Sequence, residues 1–168
     1  FPKAHATAYV IMAIRIAWFK LHKPLLFYSA FFSKRAVQFD YTVMINGKIA
    51  IGNKLREIEQ GGYEIKAKDQ ELAVTLKVAY EFCARGFSFS PLNVNESSAK
   101  IFNIKGNTLQ MPFSTIDGTG DTAAFDSVNA RKDGLYKSKE DFKTRSGVNK
   151  TVYKKILDLG CLDDLPDK

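Results

Sequence analysis

The sequence predicts a mainly α fold with a small β-hairpin, and three observations carry that expectation. Apolar residues recur at helical spacing over most of the chain, and glycine and proline punctuate those stretches. Only "KIFNIKGNTLQMPF" reads as two short strands about a tight turn, Lys105-Gly106-Asn107. The chain has 168 residues with 13 Phe and 7 Tyr, enough to build a core for one domain or two small ones.

Residues 3–22 read as a helix apolar almost all round, with Tyr9, Met12, Ile16 and Phe19 on one face. Such a helix is expected to be buried within a larger assembly. Pro24 stops it and opens a second helix, "PLLFYSAFFS". A third is expected over 40–60, with Met44, Ile51, Leu55 and Ile58 inward, ended by Gly61-Gly62. Asp69 is placed to cap a fourth over 70–85, whose buried face holds Leu72, Leu76, Ala79, Tyr80 and Cys83. "FSFSPLNVNESS" suits an extended linker, and helices follow at about 121–131, 138–145 and 150–159, with a capping-box pattern at Ser138 and Asp141.

Composition narrows the function classes. The formal charge of +7 favours an anionic partner. Cys83 and Cys161 are too few for a disulfide framework, and with only His5 and His22 besides, no metal-ligand cluster is expected. The apolar run "ATAYVIMAIRIAWF" is interrupted by Arg15 and is shorter than the roughly 20 residues a membrane span needs. An interfacial membrane helix needs a distinct polar face, which residues 8–19 lack. The start at Phe1-Pro2, without Met, predicts a piece of something longer.

Charge is also unevenly spread. Residues 113–130 hold three acidic and no basic residues, whereas 131–155 hold nine basic and three acidic. That switch follows "STIDGTGDTAAF", where a Gly-x-Gly opens a helix. Backbone N–H groups at such a turn can hold a phosphate, helped by the helix dipole. The loop lacks the third glycine and βαβ setting of a dinucleotide site, and no Gly-Lys-Ser/Thr follows as in a phosphate loop. "SGVNKTVYKKILDLGCL" repeats the plan, with Gly147 turning and Asn149 capping.

Two glycine hairpins, each followed by a helix, resemble a tandem helix-hairpin-helix domain. That resemblance implies non-sequence-specific contact with duplex phosphates by Gly118, Thr119, Gly120 and Arg131 in the first unit, and by Gly147, Val148, Asn149 and Lys150 in the second. Lys139, Lys143, Arg145, Lys154 and Lys155 would support them. Thr119 and Ser127 depart from the pattern, each standing where an apolar residue is usual. Asp117 and Asp121 put carboxylates beside the first turn, so the second hairpin is favoured as the phosphate contact.

The stretch "FPKAHATAYVIMAIRIAWFKLHKPLLFYSAFFS" resembles the fingers of the bacterial C-family replicative DNA polymerases of PolC type. "ARGFSF", the hairpin around Gly106, "STIDGTG" and "LGCLDDLPD" resemble that family in the same order. The resemblance implies fingers over 1–90, a linker and hairpin over 91–112, and the duplex-binding domain over 113–168. It implies that Lys3, His5 and Tyr9 lie near the incoming nucleotide or template. The two-metal transfer chemistry would belong to palm aspartates and Mg2+ outside this piece, leaving it without activity or cofactor of its own. Implied partners are primer–template duplex DNA, the rest of the polymerase chain, and a sliding clamp through a peptide not present here. No membrane partner is expected, and the setting is cytoplasmic, at the nucleoid. The alternative is a stand-alone, non-catalytic helix-hairpin-helix module for DNA binding or repair.

Overall fold

α1 (Lys3–His22) has no buried residue along its 20 positions. In the computed structural model, which describes residues 2–62 and 66–168, Tyr9, Ile14 and Leu21 are 64%, 63% and 70% exposed. The expected burial of this helix is therefore not met by anything within the described residues. Its C-terminal end is fastened to a later helix. Lys20 Nζ lies 2.8 Å from Glu81 Oε1, and the Arg85 guanidinium donates to the Lys20 carbonyl at 3.0 Å. Burial works against ionisation of Glu81, yet bonds from Lys20 and Tyr28 hold its carboxyl below the ordinary range.

α2 (Pro24–Lys34) starts on its proline, where the missing N–H costs nothing. Its inward residues Tyr28 and Phe32 meet Phe82, Phe89 and Phe102, with ring centroids from 4.8 to 6.2 Å among neighbouring pairs. The single helix expected over 40–60 is instead two. α3 (Tyr41–Ile45) is capped by Asp40, whose Oδ1 accepts the Val43 N–H at 3.0 Å. α4 (Gly47–Gln60) then begins at Gly47, with φ +76°. That left-handed value is open to glycine at little cost, so the chain turns there although the apolar spacing runs on. Met44, Ile51 and Ile58 are buried as read, and the helix ends at Gly61.

α5 (Ala67–Ala84) begins earlier than expected. Lys66 is its N-cap residue and Asp69 sits inside the first turn, where a carboxylate favours the dipole. Leu72, Leu76 and Ala79 are buried with Thr75 and Phe82, while Tyr80 stays 39% exposed.

The sheet has one more strand than the hairpin. β1 (Ser88–Ser90), inside the stretch read as linker, pairs in parallel with β3 (Thr108–Gln110), Phe89 opposite Leu109. β2 (Asn103–Lys105) runs antiparallel to β3, giving the order β1-β3-β2. The Gly106-Asn107 turn joins β2 to β3, with Gly106 at φ +56°. The fold is thus mainly α with a small sheet.

A short 3-10 turn, Phe113–Thr115, leads to α6 (Asp121–Asn129), α7 (Lys139–Arg145) and α8 (Lys150–Asp158). Ser138 accepts the Asp141 N–H at 3.1 Å, and Asp141 reaches back to the Lys137 N–H at 3.0 Å. The capping pair is real, but its return arm lands one residue before the cap. Phe142 lies at the centre, wholly buried, against Phe113, Tyr136 and Tyr153.

Polar ties join this part to the sheet. The Asn95 side chain donates to the Tyr136 carbonyl at 3.0 Å and accepts the Tyr136 N–H at 2.8 Å. The Tyr41 hydroxyl accepts the Leu92 N–H at 3.0 Å and lies 3.3 Å from Cys161 Sγ, and burial there raises its pKa.

Candidate nucleic-acid interface

Each hairpin turns on one glycine in the left-handed region, Gly118 at φ +89° and Gly147 at φ +72°. Both turns lie at the surface. No protein acceptor meets the main-chain N–H of Gly118, Gly120, Gly147 or Asn149 among the described residues. Asn149 caps α8, its Oδ1 accepting the Val152 N–H at 2.9 Å. Gly120 holds the cap position of α6, so Asp121 does not cap its own helix and instead pairs with Lys100 at 2.8 Å.

The two units pack reciprocally. A Cβ on Gly118 would lie 3.7 Å from Val152 and 3.9 Å from Lys155 Nζ on α8, while one on Gly147 would lie 3.2 Å from the Asp126 Cβ on α6. Lys155 and Asp126 are each the sixth residue of their helix. Each elbow thus rests on the helix of the other unit, at corresponding positions. Ser127 explains its departure from an apolar residue. Fully buried, its hydroxyl lies 2.8 Å from the Ala123 carbonyl and 2.9 Å from the Ser146 carbonyl, tying α6 to the second elbow.

Thr119 departs without such a reason. Its N–H donates to the Ile116 carbonyl at 3.0 Å, and its Oγ1 is buried with no partner among the described residues. The N–H is thus already engaged and the hydroxyl is turned inward. A buried hydroxyl left unpaired costs stability that an isosteric apolar side chain recovers. Thr119→Val is therefore expected to stabilise the fold by about 1 kcal/mol, raising Tm by about 2–4 °C in a thermal melt.

The basic residues divide sharply. Arg131 donates to the carbonyls of Val94 at 3.4 Å and Ser97 at 2.7 Å. Arg145 bonds Asp141 at 2.9 Å, the Gly134 carbonyl at 2.8 Å and the Ala130 carbonyl. Both guanidinium groups are engaged within the fold, bracing it through main-chain carbonyls. Lys139 pairs with Asp167 at 2.8 Å, Lys143 with Glu140 at 3.3 Å and Lys155 with Asp117 at 2.7 Å. Lys150 and Lys154 are exposed and carry no carboxylate partner among the described residues; so do Lys132 and Lys137, which sequence reasoning left out. Their exposure follows from lying opposite the buried Val152–Ile156 face or in the connection before α7.

Asp117 is also pulled below the usual carboxylate range, chiefly by its bond from Lys155. Asp126 stands exposed beside the second elbow with no ion pair among the described residues. The acidic burden that favoured the second hairpin over the first is therefore shared by both.

Lys3, His5 and Tyr9 lie on the first turns of α1. His5 and Tyr9 stack edge to face with centroids 4.4 Å apart, as their four-residue spacing allows. Lys3 is exposed, and its carbonyl accepts the Thr7 hydroxyl at 2.9 Å. No helix among the described residues is long and apolar enough to cross a membrane.

Paired glycine elbows, reciprocal seating and N-terminal helix amides define a helix-hairpin-helix fold, and residues 86–168 match the helix-hairpin-helix motif family. Over its whole length the chain is similar to DNA polymerases III of PolC type. It is 45% identical over 168 residues to the DNA polymerase III PolC-type of Oceanobacillus iheyensis and to that of Bacillus subtilis, covering all of this chain and 12% of each relative. The Lactococcus lactis polymerase of the same name is 41% identical over 167 residues, 99% of this chain and 10% of that protein. The chain therefore spans about an eighth of the length of the relatives it matches.

Proposed function

We propose that this chain is the part of a PolC-type replicative polymerase that holds primer–template duplex by its phosphates, without reading sequence. The observation that carries the reading is the pair of surface elbows whose amides, like the neighbouring Lys150 and Lys154, have no partner among the described residues. Amides at helix starts favour anions, and phosphate contacts position a duplex without specifying bases. In this reading residues 113–168 are the duplex-binding domain, 91–112 a connector and 1–90 the end of the fingers. Lys3, His5 and Tyr9 then lie near the incoming nucleotide, and the exposed apolar surface of α1 is covered by the rest of the parent chain.

The parent polymerase would add deoxynucleotides to a primer end, using Mg2+ held by carboxylates elsewhere in its length. The chain by itself is then a DNA-holding element without polymerase activity, working in the cytoplasm at the nucleoid. A sliding clamp would be engaged by another part of the parent.

Fluorescence anisotropy with a labelled duplex of random sequence tests the reading. With about three phosphates neutralised, log K is expected to fall against log salt with a slope near −2.7, and Kd at physiological salt should be about micromolar or weaker. A flat titration, or preference for one duplex sequence, would overturn it.

A further inference from the structure

Lys155 and Asp117 come together at the first elbow. Lys155 Nζ lies 2.7 Å from Asp117 Oδ2 and 2.9 Å from the Asp117 carbonyl. A second lysine, Lys68 of α5, stands 3.8 Å from Asp117 Oδ1. These groups line an open cleft of about 450 Å³ between α3, α5 and α8. Asp117 immediately precedes Gly118, so its carboxylate occupies cations beside the amides that would receive a phosphate. The corresponding position on the other unit, just before Gly147, is Ser146, an uncharged and fully buried residue.

We infer that Asp117 is a built-in competitor for backbone phosphate, holding Lys155 away from DNA until a phosphate displaces it. The inference rests on the duplex-binding reading and refines it. The first elbow becomes a weak, exchangeable seat, and the second a standing one. The tie suits exchange rather than locking, since the Asp117 and Lys155 side chains are 71% and 40% exposed. Exposed ion pairs of this kind are individually weak. An incoming phosphate offers Lys155 an equivalent anion and releases counterions from the duplex as well.

The test is a cycle on the whole chain with labelled random duplex. Asp117→Asn is expected to tighten binding about threefold at low salt, the scale of a surface pair, and to steepen the salt slope by about 0.9 for the one lysine released. Lys155→Ala alone should change affinity little, because Lys155 is already occupied. In the Asp117→Asn, Lys155→Ala double variant the gain and the extra slope should vanish. Asp117→Ser serves in the same cycle if the asparagine variant melts abnormally.

A gain that persists without Lys155 would mean simple relief of repulsion and would overturn the inference. So would an unchanged slope in Asp117→Asn while Lys150→Glu still weakens binding, an outcome that leaves the duplex reading intact. Absence of duplex binding by the unaltered chain would remove both.

Discussion

The Gly147→Ala, Lys150→Glu double variant is expected to lose duplex affinity at least about tenfold near 0.1 M salt. One neutralised phosphate contributes a factor of about 8 between 0.1 and 1 M salt, and reversing the charge of Lys150 adds repulsion. Gly147 sits at φ +72°, and an added Cβ would meet the Asp126 Cβ at 3.2 Å. Alanine there must strain the turn or push it off α6, moving the two amides that flank Val148. Lys150→Glu alone, an exposed change, keeps the elbow intact and should account for most of the loss. Matched thermal melts separate the two effects. Unaltered affinity in a folded Lys150→Glu variant would remove the second elbow from the interface.

Phe142→Ala carries the largest expected effect on stability, about 3–5 kcal/mol. The ring is fully buried, with Tyr136 edge-on at 4.9 Å and Phe113 and Tyr153 stacked at 6.4 and 6.3 Å. No backbone shift closes such a gap, because α7 is capped by Ser138 and braced by Arg145 on opposite ends. A fall in Tm of roughly 10 °C should follow. A fall of only one or two degrees would show that the two elbows do not share this core.

Much of the candidate interface was legible locally. Gly118, Gly147 and the Asn149 cap announce themselves through turn chemistry and the helical spacing that follows. What Lys155, Arg131 and Arg145 do was not legible, because a cation's partner is set by tertiary packing. Asp117 lies 38 residues before Lys155, and Val94 lies 37 before Arg131. The break at Gly47 was hidden for another reason: apolar spacing continues across it, while φ is chosen by the glycine. β1 was missed because its parallel partner lies 20 residues on, beyond any turn signal. Asp69 looked like a cap because Lys66, the actual cap residue, contributes no side-chain bond that marks it.

The two-point grip of Asn95 on the Tyr136 main chain, with Arg131 reaching the carbonyls of Val94 and Ser97, bears on how this region is divided for experiment. A boundary drawn at residue 113 severs all four bonds and bares a guanidinium and a peptide group that the intact chain satisfies internally. On these bonds the sheet loop and the elbows are expected to melt together, and a piece excised without the loop would be a different, looser object than the intact chain.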